Sequence, residues 1–179
     1  MQARHSWPLA VALFALVGCD GDSGTTPDTL TRAEVAGLYT VTELTFDPQG
    51  SLEVQDLLPR LDAGLLPQLV LSRTTASAQL SFRDPDTGLL DNVAATYTLL
   101  QNGVRVAFPA TDTVASKLLF PLAMTFTLAE GEADPTLHFD QNVSVSLARL
   151  RALVPELQDE PLSDPVPGQL RVTFELDQR

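Results

Sequence analysis

In run after run, the apolar residues of this chain fall on every second position, and that period admits few folds. Successive side chains of a strand point to opposite faces, so such runs have one apolar and one wet face. Ala78, Leu80 and Phe82 alternate with Gln79, Ser81 and Arg83; Val93, Ala95, Tyr97 and Leu99 with Ala94, Thr96 and Thr98; Val104, Val106 and Phe108 with Arg105 and Ala107. The same holds for Leu122, Met124, Phe126 and Leu128, for Val143, Val145 and Leu147, and for Leu170, Val172, Phe174 and Leu176. With residues 37–46, 68–73 and 136–140 added, about nine strands of ordinary length are predicted.

Turn residues separate several of these runs. Asp84-Pro85-Asp86-Thr87-Gly88, Gln101-Asn102-Gly103, the stretch from Glu130 to Pro135, and Asp140-Gln141-Asn142 carry the Gly, Asn, Asp and Pro that tight turns select. Neighbouring strands are therefore expected to pair antiparallel. A sheet with one apolar face must curl or stack, and closure also removes its edges. The expected fold is all-β, an antiparallel up-and-down β-barrel of about 8–9 strands, with a β-sandwich as the alternative. Two segments depart from the period. Leu52 to Leu66 has apolar residues near helical spacing, interrupted by Pro59 and Gly64. Ala148 to Gly168 repeats this with Leu150, Leu153, Val154 and Leu157 before a stretch rich in Pro and acid. Both read as short helical or loop insertions, either caps or surface loops.

The N-terminus has a different composition. Arg4 and His5 precede an apolar stretch from Pro8 to Val17, too short to span a bilayer as a helix, which reads as a secretion signal. It ends in Leu16-Val17-Gly18-Cys19, which resembles the lipobox of bacterial lipoproteins. The resemblance implies that the Cys19 thiol receives a diacylglycerol and that the leader is cut just before it; in that family the new amine is often acylated as well, and palmitate is the expected type of chain. Each buried CH₂ contributes about 0.8 kcal/mol, so two or three chains hold a protein on a membrane where one binds reversibly. Cys19 is the only cysteine, which excludes an intramolecular disulfide and a cysteine-based zinc site. From Asp20 the chain is polar until Leu30 and reads as a tether. The implied division is residues 1–18 as signal peptide, 19–30 as lipidated N-terminus and tether, and 31–179 as one barrel domain. The implied location is the cell envelope, on the periplasmic side of the inner or outer membrane. Asp20 resembles the inner-membrane retention signal of enterobacterial lipoproteins.

All 23 acidic residues lie after Cys19, and loss of Arg4 with the leader leaves ten basic ones, a net charge of −13. Such a field repels phosphate backbones, and no basic stripe offsets it, so nucleic acid is not an expected partner. The charge suits solubility after export.

Thr31-Arg32-Ala33-Glu34 fits a capping box, and Gly37-Leu38-Tyr39 opens the first run. This resembles the start of lipocalins and of bacterial lipocalin-like lipoproteins, where a helical turn leads to Gly-x-Trp; Tyr39 stands in the place of Trp. The resemblance implies a barrel able to hold a hydrophobic small molecule, with Tyr39, Phe82, Tyr97, Phe108, Phe126 and Phe174 as lining candidates. The same aromatics are equally ordinary core, and both readings are open at this point.

Chemistry has few carriers. His138 is the only histidine after the leader, and its neighbours Leu137 and Phe139 are inward candidates, so it belongs on the wet face. No Gly-x-Ser-x-Gly elbow and no Gly-rich phosphate loop occur. Asp84, Asp86 and Asp91 around Gly88 offer oxygens of the kind that bind Ca²⁺, but their spacing departs from an EF-hand, and an Asp-rich turn explains them. Neither enzyme activity, a metal nor a cofactor is expected. The expected function is a membrane-anchored lipoprotein that binds a hydrophobic molecule, or else a structural or protein-interaction lipoprotein.

Overall fold

The computed structural model describes residues 30–50, 52–61, 64–110, 117–129 and 135–178. The expected leader, Cys19 and most of the tether lie outside these residues, as does most of the turn between Glu130 and Pro135. The described residues form strands β1 (Gly37–Pro48), β2 (Gln55–Asp56), β3 (Gln68–Leu71), β4 (Ser77–Arg83), β5 (Leu90–Leu100), β6 (Gly103–Ala107), β7 (Ala123–Leu128), β8 (Thr136–Val145) and β9 (Val166–Gln178), with helices α1 (Arg32–Val35) and α2 (Leu147–Leu153).

Pairing follows chain order from β3 to β9, and β1 takes β3 on one side and β9 on the other. Every pair is antiparallel. The result is a closed eight-stranded up-and-down barrel, not a sandwich, with β2 an extra short strand on the far part of β1. The β1–β9 ladder that closes it runs from Leu38↔Gln178 to Pro48↔Gly168. A register shift between Val41 and Glu43 marks a bulge, where Thr42 and Glu43 both face solvent between buried Val41 and Leu44. Bulges of this kind let a strand bend around a closed wall.

Most of the inward positions predicted from the alternation are the core, with Leu99, Leu128, Val143, Leu147 and Leu176 only partly buried against it. Tyr39, Phe82, Tyr97, Phe126 and Phe174 are at most 2 % exposed, and Phe108 is 8 % exposed. The Phe126 ring lies 5.9 Å from that of Phe139 and 5.8 Å, edge-on, from that of Phe174. An eight-stranded barrel is just wide enough for side chains to fill it, and here the inward side chains keep almost no accessible surface. Tyr39 is sealed at the end where β1 begins: its hydroxyl donates to the Val35 carbonyl of α1 at 2.7 Å. Glu34 accepts from the Thr31 N–H at 2.6 Å and from its hydroxyl at 2.7 Å, which ties down the start of α1.

The two aperiodic segments close the opposite end, where β1 finishes. The first forms β2 and a 3-10 turn, Leu58–Arg60, with Leu57 and Leu61 buried; the second forms α2 and a 3-10 turn, Pro155–Leu157, with Leu150, Leu153, Val154 and Leu157 buried. Both are therefore caps. The second ends earlier than expected, because Val166 to Gly168 already belong to β9.

Three other expectations are corrected. Asp140-Gln141-Asn142 is not a turn: these residues pair with Arg171, Leu170 and Gln169 inside one continuous β8, which joins the two strands predicted on either side. The unbroken alternation of β9 offers a straight template, and Asp140 is held on the outer face by the Gln169 amide at 2.6 Å. Leu122 is 47 % exposed, because β7 starts only at Ala123. The predicted run 68–73 ends as a strand at Leu71.

Gly168 sits at a buried, inward position where a Cβ would lie 2.4 Å from Cζ of Phe46 and 2.6 Å from the Asp47 carbonyl oxygen. The missing side chain is the space the Phe46 ring occupies. Gly168→Ala is expected to destabilise the barrel by about 1–3 kcal/mol through overpacking, and Phe126→Ala by about 3–5 kcal/mol through the cavity it leaves. Urea denaturation followed by far-UV circular dichroism measures both.

Candidate functional site

With the interior filled, the departures from a regular wall are on the outside. The largest is the seam between β7 and β8. These strands share only two rungs, Thr127↔His138 and Leu128↔Leu137, while β8 pairs with β9 over ten rungs and β7 with β6 over five. From the apex at Thr127 and His138 the two strands diverge toward the capped end. A cleft of about 400 Å³ occupies the opening, lined by Leu119 to Ala123 on one side and Gln141 to Ser146 on the other.

The residues on each border explain the split. Leu119 has φ of 62°, a left-handed conformation that costs a bulky residue on the order of 1–3 kcal/mol. Pro121 follows and has no N–H to give to a ladder. Together they turn the chain away before β7 starts. On the other border Gln141 occupies an inward position in the alternation yet is exposed, and Val143 is only half-buried, because the wall that should cover them is missing. Behind the apex, Phe126 and Phe139 close the route to the interior.

A second feature locks the capped end. Lys117 Nζ donates to Asp84 at 2.6 Å and to Asp91 at 2.7 Å. Arg149 of α2 donates to Asp86 at 2.6 Å and to the Lys117 carbonyl at 2.9 and 2.7 Å. The turn from Asp84 to Gly88 is thereby clamped to α2. Asp84 also accepts from the Asp86 N–H at 2.8 Å. Its side chain is only 4 % exposed but lies just beneath the surface, so ion pairing outweighs the cost of desolvation. The Lys117 ammonium and the Asp86 N–H hold its carboxyl down at about 2, and the two carboxylates push the Lys117 ammonium up.

The carboxylates of the acidic turn are engaged by side chains of the protein. Asp84, Asp86 and Asp91 face two cations, and among the described residues no group of three His, Cys, Asp or Glu is placed to hold a metal ion. Gly88 supplies the left-handed φ of 69° that the turn requires. His138 is on the outer face as expected. Its Nδ1 lies 3.2 Å from the Thr173 hydroxyl, which itself donates to Glu43 at 2.9 Å, so Nδ1 carries the proton in that chain. The ring partner is thus a threonine and not a serine. Cys19 lies outside the described residues, and the six aromatic lining candidates come together as core.

The seam is the feature that sequence reasoning missed. Its signal was three consecutive polar residues, Asp140, Gln141 and Asn142, which look the same in a turn and in a strand that lacks one neighbour.

Two expectations follow from the clamp. Asp84 has a depressed pKa, so its contribution to stability is complete above its unfolded value of about 3.9 and is lost as the pH falls toward about 2. Lys117→Met leaves the Asp84 carboxylate without its main partner and is expected to cost about 1.5–3 kcal/mol at neutral pH. The penalty should shrink as the pH falls toward about 2, where that carboxylate is protonated in the native protein as well; denaturation midpoints across pH measure both effects. Comparison with family models, with curated proteins and with solved structures finds no match to this chain.

Proposed function

We propose that this chain is a lipid-anchored, non-enzymatic interaction protein of the bacterial cell envelope, a lipocalin-like barrel that works through its outer surface. The observation that carries the reading is the filled interior. Phe126, Phe139 and Phe174 pack ring against ring where a ligand would sit, which leaves the wall and the ends as the places where binding can occur. The sequence Leu16-Val17-Gly18-Cys19 supports the anchor, with Cys19 as the lipidated residue. The described residues begin at Leu30, at the end of the barrel that bears α1, so the proposed tether would leave from that end.

A second reading, binding of an apolar small molecule, draws on a cleft of about 300 Å³ beside α1. It is lined by Ala33, Ala36, Leu38, Val70 and Leu71, with Arg73 at its edge. That cleft is outside the barrel wall, so even this reading does not need a hollow interior.

Two measurements test the proposal. Expressed in a bacterium, the wild-type chain should fractionate with membranes and incorporate labelled palmitate, and Cys19→Ser should lose the label and the membrane association. Native mass spectrometry of the mature protein extracted in mild detergent should find the barrel empty. Stoichiometric co-purifying lipid, beyond the covalent acyl chains, favours the second reading instead.

A further inference from the structure

We propose that the seam between β7 and β8 is a docking site for an extended peptide segment of a partner protein, neutral to basic in charge, which pairs with the free edge of β8. The inference deepens the interaction reading above and rests on it.

The ladder geometry defines what is missing. The Ala129 N–H donates to the Thr136 carbonyl at 3.1 Å, and Thr127 faces His138, so main-chain bonds to β7 come from even-numbered residues of β8. Continuing that register would put Thr125 opposite Asp140 and Ala123 opposite Asn142, but neither rung forms. By the two-residue period, the N–H and C=O groups of Asp140, Asn142 and Ser144 point into the seam, while those of Phe139, Gln141 and Val143 serve β9. A row of alternating donors and acceptors at strand spacing matches one kind of ligand, another extended main chain.

The two borders are not equivalent. Sheet edges are normally protected by Pro, Lys or a bulge. The β7 border has Pro121 and the strained Leu119 beside it. β8 contains neither Pro nor Lys, and its pairing with β9 runs through ten rungs without a register shift. Incoming main chain is therefore received by β8. The side chains of Gln141, Asn142 and Ser144 form no hydrogen bonds among the described residues, and Gln141 lines the cleft from an inward position, with its amide available to the ligand.

Side-chain chemistry narrows the occupant. Residues of the peptide that point inward meet Leu119, Phe120, Val143 and Val145 beside the Gln141 amide, a mainly apolar lining that favours apolar side chains. Those pointing outward lie in the field of a chain with net charge −12, beside Asp140, so acidic segments are repelled. Asp140 accepts from the Gln169 amide at 2.6 Å, and the Arg171 guanidinium lies 3.5 Å from its carboxylate.

The test uses the full mature protein, isotope-labelled for NMR. In the free protein the amides of Asp140, Asn142 and Ser144 should exchange with solvent far faster than those of Phe139, Gln141 and Val143; equal protection along β8 means the seam is closed and overturns the proposal. The probe is a short synthetic peptide of alternating valine and threonine with a lysine at each end. It should shift and protect the amides from Asp140 to Ser144, and a copy with alternate main-chain nitrogens methylated should bind at least about tenfold more weakly, since it lacks half the donors. Asn142→Pro removes a seam-facing N–H and should weaken peptide binding by a similar factor; the methylated peptide gives the same information without altering the protein. No shift at millimolar peptide overturns the proposal. So do equal affinities of the two peptides, or perturbation of these amides only by protein concentration, which would assign the edge to a second copy of the chain. Lipid found inside the barrel defeats the interaction reading while leaving the amide pattern to report on the seam separately.

Discussion

Everything in this molecule depends on one geometric demand: the two edges of a curled sheet must meet. The β1–β9 ladder meets it with ten rungs. Closure fixes which residues face inward, and an interior that narrow accepts only side chains that fit one another. Gly168 beneath Phe46 and the bulge at Thr42 and Glu43 are local adjustments to that demand. One relieves crowding inside the wall, and the other lets β1 bend around it.

Closure satisfies the edges of the sheet as a whole but does not guarantee that every neighbouring pair is complete. β9 is long and regular and carries β8 with it to the capped end, whereas β7 begins late because the chain before it is occupied with burying Leu118, Leu119 and Phe120. The strain at Leu119 and the missing rungs beyond Thr127 are two results of the same competition between filling the cap and extending the wall. The charged clamp of Lys117 and Arg149 holds the cap side of that competition in place, one residue before the buried Leu118.

The fold was legible because its signal is repeated. Each of the runs centred on Leu80, Tyr97, Val106, Met124 and Val172 states independently which face is buried, and a single misread turn at Asp140 does not disturb the rest. Capping by the two aperiodic segments was legible as far as their buried leucines. The seam was not, because an absent hydrogen-bond partner leaves no mark on a sequence: Gln141 reads as a turn residue until the register with Leu170 is known. Nor could the ion pairs of Asp84 and Asp91 be read, since Lys117 is distant from both in the chain. Composition told that carboxylates were abundant, but not which of them had found cations.

The partners in the closing ladder come from opposite ends of the chain, as the bond between Thr40 and Asp177 illustrates across 137 positions. A ribosome releases these segments in order, so β1 is exposed before its permanent neighbour exists. Local hairpins can form early, but the wall cannot become continuous until β9 has emerged, and contacts of such sequence separation are slow to assemble. During that interval β1 is an apolar strand with one edge open, so the folding of this barrel is most vulnerable to wrong pairing just before it is finished.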